Sequence, residues 1–199
     1  MPRQPLPLTG QETGSDVGLT AFLVTADGEA VEHPRPSRRG EQRRARAPRR
    51  VSRRQTGSTR RKKAVVVLAK AQQHVQRQRR DHHHTTALGL LRQYDTLDRE
   101  DVQPANLRRN RHLAKSSSDA GWTQFRRILE GKAVYAGKRV IAVPPADTAQ
   151  DCRGGRERVP KRLSVRTHVC PSCGLVLDRD ANAARTMQRA GQARRGAVG

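Results

Sequence analysis

At 199 residues, with 41 Lys and Arg against 18 Asp and Glu and a formal net charge of +23, the chain has room for one domain with a core plus a small appendage, not for two large domains. So lopsided a balance repels itself unless a polyanion neutralises it, which makes nucleic acid the expected partner. Aromatic residues make up only 3%, which argues against a basic helix seated on a membrane, and no apolar run has signal-peptide or bilayer-spanning length, so a cytoplasmic protein is expected.

Residues 1–13 are expected to be disordered. From Gly14 to Glu32, small apolar and polar residues alternate around an Ala26-Asp27-Gly28 turn, the pattern of a β-hairpin that opens a sheet. Between Arg35 and Lys63 fourteen Arg and Lys face one acid, Glu41, with a loop expected at Gln55–Thr59 between two helices. The second helix is predicted to start near Ser58 or Thr59 and run to Tyr94. Its thin apolar stripe of Val65, Leu68, Val75, Leu88 and Leu91 should lean on the sheet, with the basic face turned outward.

A strand is placed at Tyr94–Val102, although Asp98 and Arg99 suit a buried strand poorly. After a basic loop, a helix from about Asp119 to Ala136 aligns Trp122, Phe125 and Leu129 on one face, which marks them as core rather than base-stacking residues. Gly137 stands at its C-cap. Residues 138–145 read as a strand buried on both faces and stopped by Pro144 and Pro145. A cysteine-bearing insert, 146–177, and an Ala-rich helix from about Asp180 complete an α/β plan. The divisions expected are therefore 14–145 for the core, with a basic helical insert at 35–92, then 146–177 for the insert and 178–199 for the last helix and tail.

Cys170-Pro-Ser-Cys173 has the spacing of half a zinc site, but the chain offers only one other cysteine, Cys152. Three cysteines of this kind fit metal binding in a reducing compartment better than a disulfide. Asp16, Glu100 and Asp180, far apart in sequence, are of the type that holds Mg²⁺ in phosphodiester hydrolysis. From residue type alone each could equally be a helix cap, a turn residue or an arginine partner. His82, His83 and His84 follow one another about 100° apart on a helix, so they cannot share a metal and are expected to face solvent or phosphate. The Gly14–Leu19 stretch lacks the lysine and the spacing of a phosphate loop.

The stretches Gly14–Leu19, Arg99–Val102, Asn110–Val143 and Leu163–Met187 closely resemble the C-terminal part of TnpB proteins, the RuvC-like, zinc-ribbon nucleases of bacterial insertion sequences related to type V CRISPR effectors. The resemblance implies an RNase H-like fold and RNA-guided, Mg²⁺-dependent DNA cleavage in a bacterial, nucleoid-associated protein, with DNA and a guide RNA as partners. It carries the metal-binding acids onto Asp16, Glu100 and Asp180, and leaves Asp178 aside because the family's acid is the one followed by X-Asn-Ala-Ala. It also implies a zinc ribbon that is incomplete here. Cys152, Cys170 and Cys173 remain, Gly155 takes the place of a cysteine and Arg156 that of a glycine, so His168 or water is left as the fourth donor.

Further departures from the family are Ser15, Asp98 and Arg99 at apolar strand positions, the charged Asp147, the cationic Arg153 beside the cysteines, and a start just before the first acid, without the family's large recognition region. The residues expected to touch nucleic acid are Arg49, Arg50, Arg53, Arg54, Arg60, Arg61, Lys62 and Lys63. Three readings are open: an active RuvC-like endonuclease, a non-catalytic nucleic-acid-binding remnant, or a basic structural protein of a ribonucleoprotein. The three aligned acids speak against the last.

Overall fold

A computed structural model describes residues 5–18, 20–33, 41–101, 121–144, 150–152, 154, 158–160 and 165–197, with the backbone alone for 41–45. The expectations attached to Asp147, Arg153, Gly155, Arg156 and the basic loop before Gly121 lie outside these residues. In chain order the elements are β1 (Glu12–Asp16), β2 (Leu23–Thr25), β3 (Ala30–Val31), α1 (Glu41–Ser52), α2 (Thr59–Gln93), β4 (Thr96–Glu100), α3 (Trp122–Ala136), β5 (Arg139–Val143), β6 (Thr167–Val169), β7 (Val176–Asp178) and α4 (Arg179–Gly196). Among the described residues no helix is long and apolar enough to cross a membrane.

The mixed α/β plan holds. Five strands form one sheet in the order β3-β2-β1-β4-β5. β1, β2 and β3 pair antiparallel through tight connections, whereas β1 with β4 and β4 with β5 are parallel, each reached through a helical crossover. β4 forms despite its charges. Leu97 points to one face and is fully buried. On the other face Asp98, also fully buried, accepts from Arg195 Nη1 at 2.7 Å. Arg99 donates to Glu130 Oε1 on α3 at 2.5 Å. The opposed charges come from helices distant in sequence, which is why strand propensity alone undervalued the segment. β5 is an edge strand in which only Val143 is buried, a correction to the expectation of a strand covered on both faces.

One face of the sheet carries the apolar core: Phe22 and Leu23, Leu97, the C-terminal turns of α2 (Ala87, Leu90, Leu91) and the inner face of α3 (Phe125, Leu129, Ala133). α3 ends where Gly137 adopts a left-handed φ of 68° and returns its N–H to the last turn. The 35-residue α2 is capped by Ser58, which accepts from Arg61 N. Only its C-terminal part reaches the core. Val65 is 45% exposed, and the N-terminal half packs against α1 as a helical hairpin. His83 corrects another expectation. It is wholly buried, stacked on Phe22 with ring centroids 5.6 Å apart and set against Phe125. A 35-residue helix that enters the core must turn one of three consecutive residues inward.

Residues 5–11 are tied down, contrary to the expectation of disorder. Leu6 N donates to Ala136 O at 3.0 Å, and Thr9 N and Gly10 N both donate to the Asp95 carboxylate. Lys138 binds Pro7 O and Asp95 together, and with these donors it holds the Asp95 carboxyl well below the usual carboxylate range. The opposite face of the sheet is covered by α4. Half of its buried residues are small, Ala181, Ala183, Ala184 and Gly191, and at Gly14 and Gly191 helix and sheet approach too closely to admit a Cβ.

Candidate active site and cysteine cluster

The period-2 alternation of a strand decides which side chains can meet α4. On β1, Gly14 lies under α4, so close that a Cβ there would stand 1.9 Å from Ala184 O. Asp16, two residues on, shares that face. On β4, Asp98 faces α4 through Arg195, and Glu100, two residues on, shares that face too. The parallel register pairs Ser15 with Arg99, so Asp16 and Glu100 stand side by side at the same end of neighbouring strands.

The third acid arrives on α4. Asp178 is its N-cap and accepts from Asp180 N at 2.8 Å and Ala181 N at 3.3 Å. That fixes the first turn and places Asp180 Oδ2 within 3.4 Å of where a Cβ on Gly18 would be. Burial, with the charges of Glu100 and then Asp180 beside it, pushes the Asp16 pKa up to about 8. Burial also raises Glu100. All three sequence-predicted acids therefore gather at one end of the sheet. Their oxygens do not all close to within 4.8 Å of one another; among the described residues only the cysteines do so. Arg166 Nη2, at 2.5 Å, supplies the counter-charge to Asp180. Nothing in the sequence pattern singled out Arg166, because its partner is fourteen residues away and meets it only through the β6–β7 hairpin; Arg179 N donates to Arg166 O and closes that link.

The second constellation is built by the same hairpin. β6 and β7 pair antiparallel, and the turn between them closes with Cys170 N on Leu175 O and Gly174 N on Cys170 O, both at 3.0 Å. Cys152 comes from a separate segment held by an Asp151–Arg158 bridge, and its neighbour Asp151 O accepts from Asn182 Nδ2 of α4 at 2.9 Å. The Sγ atoms of Cys152, Cys170 and Cys173 all lie within 4.8 Å of one another, with Cys152 and Cys173 at 3.5 Å. For Cys173 the Leu175 N–H favours the thiolate, but hydrogen bonding with Cys152 and Cys170, burial and the charge of Cys152 together outweigh it, so its pKa is raised. His168 is buried on β6 but is not part of the cluster.

The basic residues lie on the α1–α2 hairpin. Arg49, Arg50, Arg53, Arg60, Lys62 and Lys63 are exposed, and Arg54 and Arg61 half-buried; Arg61 Nη1 donates to Arg54 O at 3.2 Å. Arg50, Arg54, Arg60 and Lys63 line a cleft of about 230 Å³ with Ala47, Ala64 and Val67. Among the described residues no carboxylate lines it, so it presents positive charge.

Comparison with known proteins shows the family. Residues 1–111 match the OrfB_IS605 family model, described as "Probable transposase", and residues 122–187 match the "Cas12f1-like, TNB domain" model. The chain belongs to the OrfB_IS605 family of transposase-associated proteins. Within it, the chain is a TnpB-family protein. It is 36% identical over 193 residues to a "Putative RNA-guided DNA endonuclease" of Streptomyces pristinaespiralis, covering 95% of this chain and 47% of that one. To the "Putative RNA-guided DNA endonuclease InsQ" of Escherichia coli K12 it is 27% identical over 196 residues, covering 90% and 49%. The chain thus spans about half the length of the curated relatives it matches. Among solved structures it resembles a Cas12f1–sgRNA–target DNA complex, with a TM-score of 0.64, 14% identity, and 93% of this chain and 51% of that one covered. It also resembles a CRISPR-Cas12f ternary complex, with a TM-score of 0.69, 17% identity and coverage of 93% and 39%.

Proposed function

We propose that the chain is the RuvC-like, RNase H-like nuclease half of an RNA-guided DNA endonuclease, with Asp16, Glu100 and Asp180 as the ligands of catalytic Mg²⁺. The observation that carries the reading is the convergence of these three acids, from β1, β4 and the first turn of α4, at one end of the sheet. The residues fit the ion. An Asp16 carboxyl held near pKa 8 by burial and two neighbouring acids is a group whose ionisation needs an added cation. When bound there, Mg²⁺ supplies Lewis-acid stabilisation of the phosphodiester and a more acidic water.

The chain's own residues do the rest. The Asp178 cap fixes the direction of Asp180, and Arg166 pairs with its carboxylate. The hairpin residues Arg49, Arg50, Arg53, Arg54, Arg60, Arg61, Lys62 and Lys63 hold DNA and a guide RNA by their phosphates, without reading sequence. On this reading 14–145 forms the nuclease core, 146–177 an incomplete zinc ribbon and 178–199 the last core helix and tail. Cys152, Cys170 and Cys173 bind zinc as a structural clamp that ties the ribbon to α4 through Asp151.

The experiment is Mg²⁺-dependent cleavage of DNA by the purified chain supplied with RNA from its own locus. Activity that disappears in Asp180→Ala supports the proposal. The Arg166–Asp180 ion pair and the ribbon's missing cysteine favour a second reading, a non-catalytic nucleic-acid-binding remnant. It predicts tight, salt-sensitive binding that Asp180→Ala leaves unchanged, with no cleavage under any metal.

A further inference from the structure

The cysteine cluster differs from a closed structural site, and the proposal made of it rests on the zinc reading above but not on the nuclease reading. Three Sγ atoms lie within 4.8 Å of one another, and the chain has no fourth cysteine. Among the described residues no other His, Cys, Asp or Glu joins the group. The flank nearest Cys173 is covered by Gly154, where a Cβ would stand 3.0 Å from Cys173 Sγ and 3.9 Å from Cys152 Sγ; a glycine brings no side-chain donor to that corner. Cys152 and Cys170 are buried, while Cys173 is exposed, so the cluster opens to solvent at Cys173. Closed four-ligand sites are structural, whereas a three-ligand site keeps a position that an outside molecule can enter.

We infer that Cys152, Cys170 and Cys173 form an open metal site whose fourth position takes an exchangeable low-molecular-weight thiol, bound as its thiolate. Three thiolates and a divalent ion leave one negative charge, which a chain of net charge +23 tolerates and which leaves room for a second anionic ligand. A thiophilic ion already held by three sulfurs takes sulfur in preference to oxygen. In the exchange a bound water leaves, the incoming thiol gives its proton to solvent, and the metal–sulfur bond forms with no change of oxidation state.

The test uses the full chain, reduced with a phosphine in place of a thiol and loaded with Co²⁺ under nitrogen. Uptake of roughly one cobalt per chain, with visible bands that shift and intensify saturably on addition of 2-mercaptoethanol, is the expected result. Gly155→Cys restores the C-x-x-C spacing from Cys152 and should give the shifted bands without added thiol and no further response. Wild-type bands indifferent to thiol would overturn the proposal, since the fourth position would then be closed from within. Bands that change on protein dilution would assign that position to a second chain and overturn it equally. Failure to bind cobalt at all would remove the metal site itself. None of these readouts involves cleavage, so failure here leaves the nuclease reading standing.

Discussion

Asp98 and Asp16 share a face of the sheet, yet they settle their charge in opposite ways. Asp98 is fully buried and has a dedicated partner in Arg195, which also reaches Glu12 Oε2 at 2.7 Å; burial still raises its pKa. Replacing Arg195 with Met removes the partner and strands a buried carboxylate. Thermal and denaturant unfolding should register a loss of about 3–5 kcal/mol, and Asp98→Asn in the same chain should recover much of it. For Asp16 the favourable charge of Arg179 is outweighed by burial and by Glu100 and Asp180, and its pKa is raised from 3.8 to about 8. The unfolded chain gives up this proton near pH 4 and the metal-free fold keeps it to about pH 8. The fold therefore binds more protons across that window and loses stability as pH rises through it. Asp16→Asn should raise the melting temperature of the metal-free protein at about pH 7.5, by a gain on the order of 1–3 kcal/mol, and flatten the pH profile between those two values. It should also abolish any stabilisation of the wild type by Mg²⁺. An unchanged profile would show that burial and the neighbouring acids do not hold the Asp16 proton.

At the scale of elements, α4 matters more than its composition suggests. It carries one of the three acids, is capped by Asp178, and approaches the sheet most closely at Gly14 and Gly191. Gly14→Ala places a Cβ against the Ala184 carbonyl at 1.9 Å, and Gly191→Ala places one 2.1 Å from the Asp98 carboxylate. Neither obstacle is a flexible side-chain end that can swing away freely. Each substitution should cost roughly 3 kcal/mol or more, at the upper end of overpacking penalties, measurable as a depressed unfolding midpoint. Gly89→Ala is the control: a Cβ there meets nothing within 4 Å, and inside a helix it should be neutral or slightly stabilising. The α1–α2 hairpin has the opposite character. It leaves Val65, Val66 and Val67 exposed, but its cleft is lined by Arg50, Arg54, Arg60 and Lys63 with no described carboxylate, so its work is electrostatic. Arg60→Gln with Lys63→Gln should leave stability within about 0.5 kcal/mol of the wild type. Nucleic-acid affinity should fall almost uniformly across sequences, and the slope of log K against log salt should drop by about one unit per residue.

For the molecule as a whole, sequence and structure contributed different things. The +23 charge, the positions of the helices, the Asp27-Gly28 turn, the Gly137 cap and the identities of the three acids were all legible in the chain. Each depends on local periodicity, on backbone preference at one residue, or on a family pattern carried by residue type and spacing. Tertiary structure decided the rest. β4 is a strand because Arg195 and Glu130 neutralise Asp98 and Arg99 from helices that lie far along the chain. His83 is core because α2 enters the sheet's apolar face at that turn. Residues 5–11 are ordered because Asp95 and Lys138 offer them partners. Arg166 meets Asp180, and His168 stays apart from the cysteines, because a short hairpin sets distances that no spacing rule encodes. Sequence by itself specified which residues could do chemistry, since that is a property of side chains. Which of them meet, and what each costs to bury, was settled only by packing, where a carboxylate's partner and its distance from water are fixed by parts of the chain that are far away in sequence.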